Sequence, residues 1–174
     1  MNIARKLIAG SFVAIALGGV AHAADYSYSP NSYATTPFGA SPFEGVYAGA
    51  YAGAGFDPNA KFALGGMAGV NFEVVDGVIV GAEVQGGAQT DGTTTTFEGL
   101  MLGRGGALVA PDLLAYGALG GGLANGTTSW AAGGGAEFMA TDSLGVRGEL
   151  LGTGPWGGGL ANTRATAGVV LHVR

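Results

Sequence analysis

Between Val78 and Gln89 the chain alternates with a period of two. Val78, Val80, Ala82 and Val84 fall on one side of an extended strand; Gly81, Glu83, Gln85, Gly87 and Gln89 fall on the other. In a soluble sandwich the apolar side would face a core and the acid would face water. In a membrane barrel the order is reversed, with apolar residues meeting lipid and polar ones pointing into the lumen. Composition separates the two. Only 11% of the residues are charged while 48% are hydrophobic, and a soluble domain needs a charged surface to stay dispersed. Beyond the N-terminus no apolar run reaches the ~18 residues of a helical membrane span. A chain that is apolar on average but lacks long apolar runs is what alternating membrane strands produce.

The same alternation recurs. In Gly45–Gly55 the residues Val46, Ala48, Ala50, Ala52 and Ala54 share one face, and Tyr47, Gly49, Tyr51 and Gly53 the other. Eight segments of strand length can be placed, at 45–55, 61–73, 77–89, 97–109, 112–124, 128–140, 143–152 and 162–173. Val75-Asp76-Gly77, Ala110-Pro111-Asp112 and Thr141-Asp142-Ser143 read as tight turns. Phe56 to Ala60, the stretch from Thr90, Asn125-Gly126, and Thr153 to Ala161 read as the longer or more Gly- and Thr-rich connections. Short turns at one end and longer loops at the other match periplasmic and extracellular ends. The fold expected is all-β: an eight-stranded antiparallel up-and-down transmembrane β-barrel over 43–174, with both termini on the periplasmic side.

The 36 glycines are about three times the usual share and weaken strands by backbone entropy. A narrow eight-stranded lumen must nevertheless be filled without being overfilled. Gly49, Gly53, Gly81, Gly87, Gly133 and Gly135 fall on inward positions, where they leave room for Tyr47, Tyr51, Glu83 and the arginines. Regular alternation weighs against reading the glycines as low-complexity sequence.

The first 23 residues form a signal peptide: Arg5 and Lys6, an apolar stretch from Leu7 to Val20, and Ala21-His22-Ala23 as cleavage site. Residues 24–42, rich in Tyr, Pro and small polar residues, read as a flexible periplasmic leader. Cleavage leaves five basic residues against twelve acidic, a net charge of −7, which argues against nucleic acid as a partner. Cysteine is absent, so disulfides and thiolate metal sites are excluded.

From Gly45 onward the motifs, in order, resemble the opacity-type and OmpA-like outer-membrane β-barrel family of Gram-negative bacteria. Tyr47, Gly49 and Gly53 match that family's opening Tyr-x-Gly-x-x-x-Gly. Gly81-Ala82-Glu83 matches its third-strand Gly-x-Glu, and Leu102-Gly103-Arg104 its fourth-strand Arg-Gly-Arg. Leu113 to Tyr116 with Gly120 to Ala124 fits the fifth strand. Trp130 to Phe138, through Glu137, and Leu144 to Glu149, through Arg147, match the next two. The resemblance covers about the last three-quarters of the chain. Leu102 stands where the family often has an arginine, Leu150 where an aromatic is common, and Val173-Arg174 where an aromatic usually ends the chain. That last departure leaves insertion either less efficient or aided by internal strands. The aromatic girdle rests mainly on Trp130, Phe138, Phe72 and Phe97. The resemblance implies a structural role in envelope integrity and surface interactions. It also implies a Gram-negative outer-membrane location, contact with outer-membrane lipid and lipopolysaccharide, and insertion by the barrel-assembly machinery. The barrel is expected to be a monomer.

Glu83, Arg104, Glu137, Arg147, Glu149 and Arg164 all take inward positions. Unpaired charges in a narrow interior are costly, so these acids and arginines should pair. Their role is either a structural network that plugs the barrel or the selectivity element of a narrow porin-like solute or ion channel. A lipid-modifying enzyme would need a nucleophile beside a base. His172 is the sole histidine after the signal peptide, and neither Ser129 nor Ser143 flanks it in sequence. No metal-ligand spacing or phosphate-cradling loop is present. No catalytic residue, cofactor or metal is therefore expected.

Overall fold

Alternation that puts small and polar side chains on one face lets a sheet curl around that face until its edges meet. The computed structural model describes residues 41–57 and 59–173; the signal peptide and the leader as far as residue 40 lie outside them. The described strands are β1 (Gly45–Asp57), β2 (Asn59–Val75), β3 (Val78–Thr90), β4 (Thr95–Ala110), β5 (Leu113–Ala124), β6 (Thr127–Met139), β7 (Leu144–Pro155) and β8 (Asn162–Val173). Each pairs antiparallel with the next. β8 returns to β1, from Val46 opposite Val173 to Phe56 opposite Thr163, and closes an eight-stranded barrel. The shortest strands have 12 residues, more than the roughly 9–11 that a tilted strand needs to cross a bilayer.

Side-chain exposure follows the expected parity. Val46, Val80, Val84, Leu119, Leu150 and Val169 are among the many large apolar side chains on the outside, while Tyr47, Tyr51, Glu83, Gln85 and Arg147 are buried inside. An apolar exterior wrapped around a charged interior inverts a soluble protein, and only lipid makes it favourable. Hydrogen-bond closure matters as much, since no strand edge is left open to hydrocarbon.

The connections differ from expectation. At the end where β1 begins and β8 finishes they occupy residues 76–77, 111–112 and 140–143. At the far end they occupy only residue 58, then 91–94, 125–126 and 156–161. The longer loop expected at Phe56–Ala60 is replaced by a hairpin in which Phe56 pairs with Ala60, because the strand alternation runs on through it. Asn125 and Gly126 form a two-residue turn with φ of 51° and 72°, the paired positive values that a type I′ hairpin requires. Thr153 belongs to β7, buried on the same inward parity as Arg147, Glu149 and Leu151. The far end still carries more loop than the other end, most of it in 91–94 and 156–161, but less than expected.

The aromatic girdle is fuller than the sequence reading at the far end, where Phe56, Phe62 and Trp156 join Phe97, which is 72% exposed. Trp130 is half-buried there and donates Nε1–H to the Gly158 carbonyl at 3.4 Å. Phe72 and Phe138 lie toward the end where β1 begins. Aromatic rings at the two ends of an apolar band suit the bilayer interfaces.

Candidate functional site

Among the described residues, chemistry-bearing side chains converge in the lumen. Strand parity sends Glu83 inward from β3, Arg104 from β4, Glu137 from β6, Arg147 and Glu149 from β7, and Arg164 from β8, and all six are buried. Arg147 stands at the centre. Its Nη1 donates to Glu83 Oε2 at 2.6 Å, and its Nε and Nη2 donate to Glu137 Oε2 at 3.0 and 2.8 Å. Arg104 Nη1 donates to the same Glu83 oxygen at 3.2 Å and to the Tyr47 hydroxyl at 2.6 Å. Its Nη2 lies 3.6 Å from Glu137. The Arg104 guanidinium also covers the Tyr116 ring at 3.9 Å from the centroid, a cation–π contact strengthened by desolvation.

A second group sits beyond it toward the far end. Arg164 ion-pairs with Glu98 and donates to Gln85 Oε1. It also donates to the Tyr51 hydroxyl at 2.9 Å and lies 3.6 Å from Glu149. Glu149 accepts from the Tyr116 hydroxyl at 2.8 Å. Gln85 joins the two groups, because its Nε2 donates to Glu83 at 2.7 Å and to Glu149 at 2.9 Å. All six expected residues thus belong to one connected set. Sequence reasoning placed Tyr47, Tyr51 and Gln85 inward without giving them a part in the network, and it missed Glu98 and Tyr116. Glu98 shares the parity of Arg104 on β4, which was the available signal.

The lumen is not polar throughout. Ile79, Leu100, Leu102, Leu114 and Leu151 form an apolar cluster with Phe43, and Leu102, standing where the resemblance suggests an arginine, belongs to it. Inward glycines make room for the rings: a Cβ on Gly69 would run into the Tyr47 ring, and one on Gly65 into Tyr51.

At the end where β1 begins, the residues just before it turn inward. Phe43 is fully buried, its carbonyl accepts from Asn71 Nδ2 at 3.0 Å, and its ring meets His172 edge-on at 6.1 Å. His172 Nε2 is 2.6 Å from Glu137 Oε1, and Tyr47 lies against its other side. Ser143 is exposed and Ser129 sits at the opposite end of the barrel. Among the described residues no serine hydroxyl is hydrogen-bonded to His172.

The far mouth is open. A cavity of about 210 Å³ there is lined by inward-facing side chains that include Lys61, Gln89, Glu98, Ser129, Thr153 and Asn162. Glu98 on its wall is paired with Arg164 and accepts from Gln89 Nε2 at 3.3 Å.

No protein-family model and no curated protein matches the sequence. Solved structures do. A de novo designed transmembrane β-barrel is 18% identical with a TM-score of 0.53, covering 75% of this chain and 97% of that one. Ail, the attachment invasion locus protein of Yersinia pestis, is 14% identical with a TM-score of 0.53, covering 74% and 98%. Neisserial surface protein A is 11% identical with a TM-score of 0.45, covering 74% and 96%. The chain has the fold of a small transmembrane β-barrel.

Proposed function

We propose that this protein is a structural component of a Gram-negative outer membrane, a closed barrel of the opacity-type and OmpA-like kind. On this reading it contributes to envelope integrity and surface interactions, arrives by a cleaved signal peptide, and is inserted by the barrel-assembly machinery as a monomer. The observation that carries the reading is the filled lumen: paired arginines and glutamates cross it, an apolar cluster packs beside them, and Phe43 closes one end. Eight strands leave an interior that side chains can fill, and these fill it between Phe43 and the cavity at the far mouth. Contact with lipopolysaccharide would be mainly through acyl chains. Arg104, Arg147 and Arg164 are buried in the lumen, and Lys61 lines the far mouth.

Planar-bilayer recording tests it. The purified barrel is expected to give no discrete conductance steps above the bare bilayer; regular steps would overturn a purely structural role. The second reading, a narrow ion path, is favoured by the unbroken chain of polar contacts from Glu98 through Arg164, Gln85, Glu83, Arg147 and Glu137 to His172. Under it, Glu83→Gln or Arg104→Gln would change the size or selectivity of a measured current.

A further inference from the structure

The connections at the far mouth differ in chemistry. The β3–β4 and β5–β6 connections carry Asp91, Thr93, Thr94 and Asn125, side chains suited to water. The β7–β8 connection, residues 156–161, reads Trp-Gly-Gly-Gly-Leu-Ala and holds no charge. Trp156 is nonetheless 64% exposed and Leu160 59%. Exposed apolar side chains that join a larger apolar patch mark a binding surface.

This connection does not stand up from the rim. It folds back over the outside of the barrel, where glycines on the outward faces make room for it. A Cβ on Gly152 would lie 2.7 Å from Leu160 Cδ1, and one on Gly121 would lie 3.0 Å from the Trp156 ring. One on Gly154 would meet the Gly159 carbonyl and the Trp130 ring. Gly154 is buried although its parity is outward, because the connection covers it. Ala161 N–H donates to the Thr153 carbonyl and Gly158 N–H to the Pro155 carbonyl, each at 2.9 Å. Leu160 thus reaches the level of Gly152, three residues short of the end of β7, roughly 10 Å back along the strand. Gly121 lies between Leu119 and Leu123 on the outward face of β5, and Gly152 follows Leu150 on that of β7. All three leucines are exposed. Trp156 and Leu160 therefore continue apolar columns that already face lipid.

We infer that the β7–β8 connection is a membrane anchor, seated in the leaflet at the far end with Trp156 and Leu160 against lipid acyl chains. Continuity with the lipid-facing wall selects this occupant. Tryptophan suits the level, since its amphipathic ring sits at the boundary between the acyl layer and the headgroups. Contact with soluble partners at this end then falls to the polar β3–β4 and β5–β6 connections. The inference rests on the reading above that the barrel spans a bilayer, and it assigns one connection to the lipid.

The chain has no cysteine, so Leu160→Cys carries a single fluorescent label on the full barrel, folded in phosphatidylcholine vesicles brominated near the headgroup end of the acyl chains. Leu119→Cys on the wall and Thr93→Cys on the β3–β4 connection are the references. Each variant must keep the parent's boiled-against-unboiled gel shift. The label at position 160 is expected to dim about twofold in brominated lipid, from an interfacial depth of roughly 5–10 Å, and to escape aqueous iodide. The label at position 93 is expected to do the reverse. Trp130→Phe leaves Trp156 as the sole tryptophan, and its emission is expected to follow the label at position 160. Iodide quenching at position 160 without bromine quenching would leave the connection in water, open to a soluble partner. Shielding from both quenchers would put a second barrel over it. Either result overturns the inference. If the label at position 119 also ignores brominated lipid, the membrane reading itself fails; if only position 160 does, the anchor alone fails.

Discussion

Arg147→Met is expected to lower the stability of the folded barrel by about 3–5 kcal/mol, the cost of removing one partner from a buried ion pair. Arg147 holds Glu83 on β3 and Glu137 on β6 at once. Methionine fills similar space and leaves both carboxylates in a dry interior with Arg104 as their shared cation. Urea titration of the barrel in lipid vesicles, followed by tryptophan fluorescence and gel mobility, measures the loss. The double variant Arg147→Met with Glu137→Gln is expected to be more stable than the sum of the single losses, because the second change removes one of the stranded charges. A single-variant loss below about 1 kcal/mol, the range of an exposed pair, would mean that the network does not stabilise the fold.

The second large effect lies on the opposite face. Leu119 is 69% exposed near the middle of β5. Leu119→Arg is expected to cost about 2–4 kcal/mol in a bilayer, since its side chain sits near the midplane. Thr128→Arg, on the same outward face but at the far rim, is expected to cost about 0–1 kcal/mol. Unfolding titrations in vesicles read both. In water an exposed leucine replaced by arginine would stay within about 0.5 kcal/mol, so equal and small effects at the two sites would sink the membrane assignment.

Parity is a local property, which is why so much of the barrel was legible. The alternation at Val78–Gln89 needs no knowledge of any other strand, and it places Glu83 and Gln85 inward in the structure as it did on paper. The strand count and the closed antiparallel order follow from the same pattern repeated. What parity does not supply is reach across the lumen. Gln85 was seen on the polar face, yet its bridge from Glu83 to Glu149 depends on how β3 and β7 stand opposite each other. Glu98 lay inside the strand expected over 97–109, on the parity of Arg104, but its pairing with Arg164 depends on β8 standing opposite it across the lumen. Phe43 carries no periodic signal at all, since it lies in a turn outside any strand. The far-end loops were overestimated because Phe56, Ala60 and Thr153 look like turn flanks until their pairing partners are known.

The order of the strands has a consequence for how the chain reaches this state. Seven of the eight pairings join neighbours in sequence through connections of one to six residues, so their loop-closure entropy is small. The eighth, β1 with β8, joins the two ends of the barrel and carries far more of the contact order than any other pairing. Glu83 and Glu98 belong to the first four strands, whereas Arg147 and Arg164 arrive on the last two. An unclosed sheet therefore holds its early acids without two of the three cations that neutralise them. Closing the seam and balancing the interior charge become one cooperative event, which makes a half-assembled barrel a poor resting state and the completed one slow to reopen.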